Sequence, residues 1–250
     1  MWLCDLRIPG QGTGVDVRVE GGFIREVRER GKAREAGEAR EAGEARDFPG
    51  KPLGRGFDGA LVFPGLINSH DHLDFNLFPP MGNRVYPSYR DWGPDIHTNQ
   101  AAGISAVLKV PQELRTAWGV YKNLLNGFTT VVNHGEKLPV DHPLIDVLQD
   151  CYCLHSVGFE KGWKWKLNRP LAGRRPFVLH VGEGTDAHAG KEIDQLIRWN
   201  LFRRALIGIH GVAMNEKQAK AFKALVWCPA SNYFLLGKTA PIGRLKRRLR

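Results

Sequence analysis

Two histidines separated by one residue, His70 and His72, begin a set of side chains whose types and spacing suit metal chemistry. On an extended segment, side chains at i and i+2 point the same way, so both imidazoles can reach one ion. Two further histidines, His180 and His210, end later apolar runs, Phe177 to Val181 and Leu206 to His210. Imidazoles combined with oxygen donors suit zinc or iron. A lone histidine at a strand end, such as His134, reads more readily as a hydrogen-bonded core or rim residue. The His70-x-His72 pair alone is balanced between a ligand and a structural reading. Adding His180 and His210 at equivalent strand ends, in this order, tips the balance to a shared site.

The elements that must position these groups alternate. Residues 13–28 alternate apolar and polar side chains around Gly21-Gly22, which predicts a β-hairpin. The hexapeptide Ala33 to Glu38 is repeated at Ala39 to Glu44, and we assign this low-complexity insertion (31–46) no function. The run Ala60 to Asn68 is nearly all apolar, as a buried parallel strand would be. Leu114, Trp118, Tyr121, Leu124 and Leu125 recur at helical spacing, predicting a helix over 112–125. A strand is expected over 128–134, a helix over 143–149 and a third strand over 152–157. Beyond them the pattern gives strand 177–181, helix 191–204, strand 206–210, helix 215–223 and strand 224–228. Strands alternating with helices imply a parallel α/β architecture. In a closed parallel barrel the C-terminal strand ends meet at one face, which would bring histidines distant in sequence together.

Composition narrows the class without naming the chemistry. The 250 residues carry 36 lysines and arginines against 26 acids, a formal charge of +10. The basic residues are interleaved with acids, and the densest group, Gly243 to Arg250, reads as a solvated helix face. Nucleic-acid binding is therefore not expected. No apolar run reaches about 18 residues, so no membrane partner is expected, and the N-terminus lacks a signal-peptide pattern. Cys151 and Cys153 would point to one side of a strand, but without a second pair they make a weak zinc site. Reduced, buried thiols in a cytoplasmic protein are the expectation.

Phe63-Pro-Gly-Leu-Ile-Asn-Ser-His-Asp-His72 resembles the first-strand signature of the amidohydrolase superfamily, in the branch of aminohydrolases, chlorohydrolases and guanine-type deaminases. His180-Val-Gly-Glu183 resembles that branch's fifth-strand motif, and His210 to Met214 its sixth strand. Cys228 to Asn232 with Leu236 to Pro241 resembles its seventh. The resemblance implies His70, His72 and His180 as metal ligands to one divalent ion, zinc first and iron second. It implies Glu183 as the proton-transferring group and His210 beside the ion. His155, Asn232 and Trp92 are weaker candidates for substrate contact, and the segment 77–102 for a lid, a pocket wall or a plain packed loop. The implied activity is metal-dependent hydrolysis of carbon–nitrogen, non-peptide bonds in a small cyclic substrate, of the deaminase or amidohydrolase type. A chlorohydrolase is the neighbouring alternative, and homo-oligomer formation is compatible with either.

The implied fold is a TIM-barrel-like (β/α)8 barrel over 60–250, with part of a small N-terminal β-sandwich over 1–59. Two departures qualify it. Only six barrel strands are countable, with room for one between Asn133 and Phe177 where the family has two. The family's eighth strand supplies a metal-binding aspartate, yet no aspartate follows Asp194. The expectation is an incomplete, C-terminally truncated barrel, with an inactive remnant as the competing class.

Overall fold

The computed structural model describes residues 1–29, 55–141, 143–170 and 175–249, in two compact units, Met1–Gly65 and Leu66–Arg250. The repeat at 33–44 lies outside the described residues. In the first unit, β1 (Trp2–Arg7), β2 (Gly14–Glu20), β3 (Phe23–Glu29) and β4 (Arg55–Leu61) form one sheet in the order β3-β2-β1-β4. The expected hairpin is β2–β3, antiparallel, with positive φ at Gly21 (59°) and Gly22 (78°). A two-residue turn of that hand needs residues free of a Cβ clash at both positions. Alternation along β2 sends Val15 and Val17 into a small core with Leu6.

The second unit is mixed α/β with parallel sheets. It runs β5 (Leu66–Asp71), a 3-10 turn (Leu73–Phe75), α1 (Tyr89–Asn99), α2 (Ala101–Leu108), α3 (Gln112–Leu125), β6 (Phe128–Asn133), β7 (Asp146–Leu148) and β8 (Tyr152–Ser156). Then come α4 (Trp163–Leu167), β9 (Phe177–Val181), α5 (Ala187–Trp199), β10 (Leu206–His210), α6 (Glu216–Ala219), β11 (Ala224–Val226), α7 (Pro229–Leu236) and α8 (Ile242–Leu245). The strands pair in two parallel sheets, β5-β6-β7 and β11-β10-β9-β8, which are not paired with each other among the described residues. Every residue of β9 is buried, as a central parallel strand covered on both faces requires. Its Phe177, Leu179 and Val181 join Leu154, Ile193, Leu196, Leu206 and Phe222 in the main core. Asp186 caps α5 by accepting from Ala189 N, and Asn215 with Gln218 forms a capping box on α6. No helix among the described residues is long and apolar enough to cross a membrane.

Several expectations are corrected. The apolar run 60–68 is not one buried strand. Pro64, which has no N–H to give a ladder, and Gly65 divide it between β4 and β5, and Leu61, Phe63, Leu66 and Ile67 are exposed. The helix expected over 143–149 is instead the short strand β7, so among the described residues seven strands stand in the two sheets and two of them lie between Asn133 and Phe177. The helix expected at 215–223 is only the four residues of α6. The segment 77–102 includes α1 and the start of α2 rather than loop alone. Cys151, Cys153 and Cys228 are free thiols as expected, but half-buried.

Helix α3 occupies its predicted span and turns its apolar stripe outward. Leu114, Trp118, Tyr121, Leu124 and Leu125 are exposed, whereas Arg115, Thr116, Gly119, Val120 and Asn123 are buried. The cause is the segment that follows β5. Arg115 donates to the carbonyls of Asp74 (2.7 Å) and Val110 (3.1 Å), satisfying acceptors that hydrophobic side chains would leave bare. Gly119 lets the helix close on the Leu73 backbone, where a Cβ would lie 2.2 Å from Leu73 O. Gly119→Ala is therefore expected to lower the unfolding free energy by about 1–3 kcal/mol through overpacking. Urea unfolding reads this as a lower midpoint at unchanged m-value, and an unchanged midpoint would show that α3 does not press on Leu73.

Candidate metal centre and proton-transfer pair

The end of β5 is held from below by amide side chains. Asp71, between the two histidines, receives Asn123 Nδ2 (2.6 Å), Asn76 Nδ2 (2.7 Å) and Asn68 Nδ2 (3.1 Å) on its carboxylate. Its carbonyl accepts from the backbone N–H of His134 at 2.7 Å. With Asp71 pinned on one side, His70 and His72 project to the other, as the i, i+2 spacing dictates. Their ring centres are 5.0 Å apart.

His180, at the end of β9, joins them. One ligand atom each from His70, His72 and His180 lie within 4.8 Å of one another. His180 Nδ1 donates to the carbonyl of His155 at 2.8 Å, which leaves Nε2 with its lone pair and facing His70 Nε2 at 3.3 Å. Two nitrogens about 2.0–2.1 Å from a zinc ion at a tetrahedral angle would stand about 3.3–3.4 Å apart. Burial, followed by mutual repulsion among the imidazoles, lowers His70 to about 2 and His72 to about 3. The same causes hold His180 well below its ordinary value. All three rings are thus neutral near pH 7, the form in which imidazole ligates. His70 Nδ1 is buried without a hydrogen-bond partner. The donor set, its protonation and its spacing fit a divalent ion.

Beside this group stand Glu183 and His210. His210 ends β10 at φ 72°, a left-handed conformation that costs a non-glycine residue about 1–3 kcal/mol and collects at functional sites. Asn232, fully buried at the start of α7, donates Nδ2 to Thr239 Oγ1 (3.2 Å) and so presents Oδ1 to His210 Nδ1 at 2.7 Å. That contact assigns the proton to Nδ1 and leaves Nε2 facing Glu183 Oε1 at 3.4 Å. The Glu183 carboxyl is buried, which pushes its pKa up, with partial offset from His210. Its backbone is clamped. Gly182 has φ 56°, and at Gly184 a Cβ would meet Ser88 Cβ at 2.8 Å. Glu183 O accepts from Tyr89 N at 3.1 Å, so the N-terminus of α1 sits against the turn that carries the carboxylate.

The weaker candidates fall differently. His155 is exposed, with its ring centre 5.2 Å from that of His180 and its Nδ1 3.1 Å from Ser156 Oγ. Asn232 is tied to His210 and Thr239, so in this structure it positions an imidazole. Trp92 donates Nε1 to Met81 O at 2.8 Å and packs against Val212, Leu235 and Leu236. Two surface cavities, 420 and 400 Å³, lie along α1 and beside α6 and α8, and neither is lined by histidine. Sequence reasoning missed His134. It is buried, as a core residue would be, with the Cys153 thiol as its polar neighbour and no well-aligned hydrogen bond at either ring nitrogen. Its ring centre is 5.1, 5.2 and 4.7 Å from those of His70, His72 and His180. The signal was its position: it follows β6, the strand paired with β5.

Asn232→Leu removes the acceptor of His210 Nδ1–H and is expected to cost about 1–3 kcal/mol of stability. Imidazole 15N NMR of the parent is expected to show His210 protonated at Nδ1, and an Nε2–H tautomer would contradict the assignment.

No protein-family model matches the chain, and no curated protein does. Among solved structures, the chain is similar to 5-methylcytosine deaminase from Klebsiella pneumoniae, in complexes with 5-fluorocytosine and with phosphonocytosine. Each likeness has a TM-score of 0.53 at 14% identity and covers 99% of this chain, with 72% and 73% of the deaminase chain respectively. At that identity the likeness is one of fold, and it agrees with the amidohydrolase resemblance of the motifs. The chain shares its fold with a deaminase.

Proposed function

We propose that this chain is a metal-dependent hydrolase of carbon–nitrogen, non-peptide bonds, of the deaminase type, acting on a small cyclic substrate. The observation that carries the reading is the buried Glu183–His210 pair beside the His70, His72 and His180 donors. We read β5 to β11 as seven strands of a TIM-barrel-like arrangement, with residues 1–59 as part of a small β-sandwich. The convergence of His70, His72, His180 and His210 from strand ends in two separate sheets supports that arrangement.

A divalent ion held by the three histidines, zinc before iron, would supply Lewis-acid polarisation and would acidify water. Glu183 takes the proton of the attacking water at Oε1 and delivers it to the leaving nitrogen. Its raised pKa suits both halves of that shuttle, because a carboxyl poised nearer the working pH accepts and releases a proton with less penalty. His210 Nε2, facing Oε1, shares that proton. While it holds that proton at Nε2, His210 donates to the developing oxyanion, and it returns the proton to Oε1 for delivery to the leaving nitrogen, with Asn232 holding its other nitrogen throughout. Burial of Glu183 and His210 keeps bulk water from intercepting the proton.

Purified protein is expected to carry zinc or iron near one equivalent, and His70→Ala to lose it. Metal-free parent protein and an unaffected variant would contradict the reading. Amino-substituted pyrimidines, beginning with cytosine and 5-methylcytosine, are the first substrates to assay by ammonia release. Glu183→Gln is expected to keep the metal and lower kcat by about 10²–10⁴-fold. Turnover retained in that variant would remove Glu183 from the mechanism.

A further inference from the structure

We infer that His134 is a fourth imidazole ligand of the metal centre. The inference rests on the reading of His70, His72 and His180 as a metal site and extends its donor set. Its ground is a distance pattern. The six distances among the ring centres of His70, His72, His134 and His180 are 5.0, 5.1, 5.0, 5.2, 5.5 and 4.7 Å. With zinc–nitrogen bonds of about 2.0–2.1 Å and about 1.1 Å from nitrogen to ring centre, each ring centre stands about 3.2 Å from the ion. Corners of a tetrahedron of that radius are about 5.2 Å apart, so the spacing of the four ring centres matches that of four imidazoles around one ion.

The other neighbouring imidazoles do not fit that pattern. The ring centre of His210 is 6.2 Å from that of His70, and its Nδ1 is committed to Asn232. His155 is exposed and its Nδ1 lies against Ser156. His134 is buried, its ring nitrogens make no well-aligned hydrogen bond, and its polar neighbour is the Cys153 thiol. A buried imidazole held by no better partner than a thiol, a weak hydrogen-bonding group, gains from ligating an ion. Donor atoms of His70, His72 and His180 are already drawn together, and His134 places its ring at the fourth corner. The donor atoms within 4.8 Å of one another are those of His70, His72 and His180, so ligation by His134 requires its ring to turn about its Cβ–Cγ bond, a broad and soft torsion. The ion would then have four neutral donors, and the water on which Glu183 acts would enter as a fifth ligand.

The test is X-ray absorption at the zinc edge on zinc-loaded protein, together with zinc affinity measured by chelator competition for the parent and for His134→Phe. The expected result is four imidazoles around the ion in the parent. The variant should show three, with affinity reduced beyond the about 10–100-fold typical of losing an outer partner of a ligand. Three imidazoles in the parent would overturn the role of His134 and leave the three-histidine site standing. Failure of the parent to bind zinc stoichiometrically would overturn the three-histidine reading itself, and this inference with it. If the variant does not fold, the imidazole count in the parent decides alone.

Discussion

Burying several neutral imidazoles against one another is the constraint on which the rest of this structure depends. His70 Nε2 and His180 Nε2 lie 3.3 Å apart, and the pKa of each ring is driven far down by burial and by its neighbours. A polypeptide alone gains nothing from that arrangement, because packed lone pairs repel and unpartnered nitrogens forfeit their hydration. The surroundings therefore have to impose it. Asp71 and its three amide partners fix the end of β5, the carbonyl of His155 fixes the ring of His180, and Asn232 fixes that of His210.

The same constraint explains features that look unfavourable in isolation. Helix α3 buries Arg115 and Asn123 and exposes Trp118 and Leu125 because its inner face must hold the segment after β5. Gly119 lets it approach closely enough to do so. His210 adopts a left-handed backbone where a glycine would be at ease, and the turn after β9 leaves no room for a side chain at Gly184. Strain at His210 and tight packing at Gly184 sit within a few residues of the Glu183–His210 pair, where a fixed geometry is worth its local cost.

Much of this was legible in the sequence where period and chemistry coincide. The Gly21-Gly22 hairpin followed from alternation and turn residues, and His70-x-His72 followed from the two-residue repeat of a strand. What escaped had physical reasons. Strand β7 is three residues long, too short to show a period. The run 60–68 is apolar throughout, so nothing in its pattern revealed that Pro64 and Gly65 divide it. The orientation of α3 was not legible, because hydrophobic spacing reports which side chains share a face, and hydrogen bonding to the loop after β5 decided which face turned inward. His134 was read alone, whereas its meaning comes from the pairing of β6 with β5, a tertiary fact.

Anomalous diffraction at the zinc edge from zinc-soaked crystals tests the central claim most directly. The account predicts one strong peak enclosed by His70, His72 and His180, within about 2.0–2.1 Å of a nitrogen from each. A cluster without a peak at full zinc occupancy elsewhere, or an ion bound only on the surface, would contradict it.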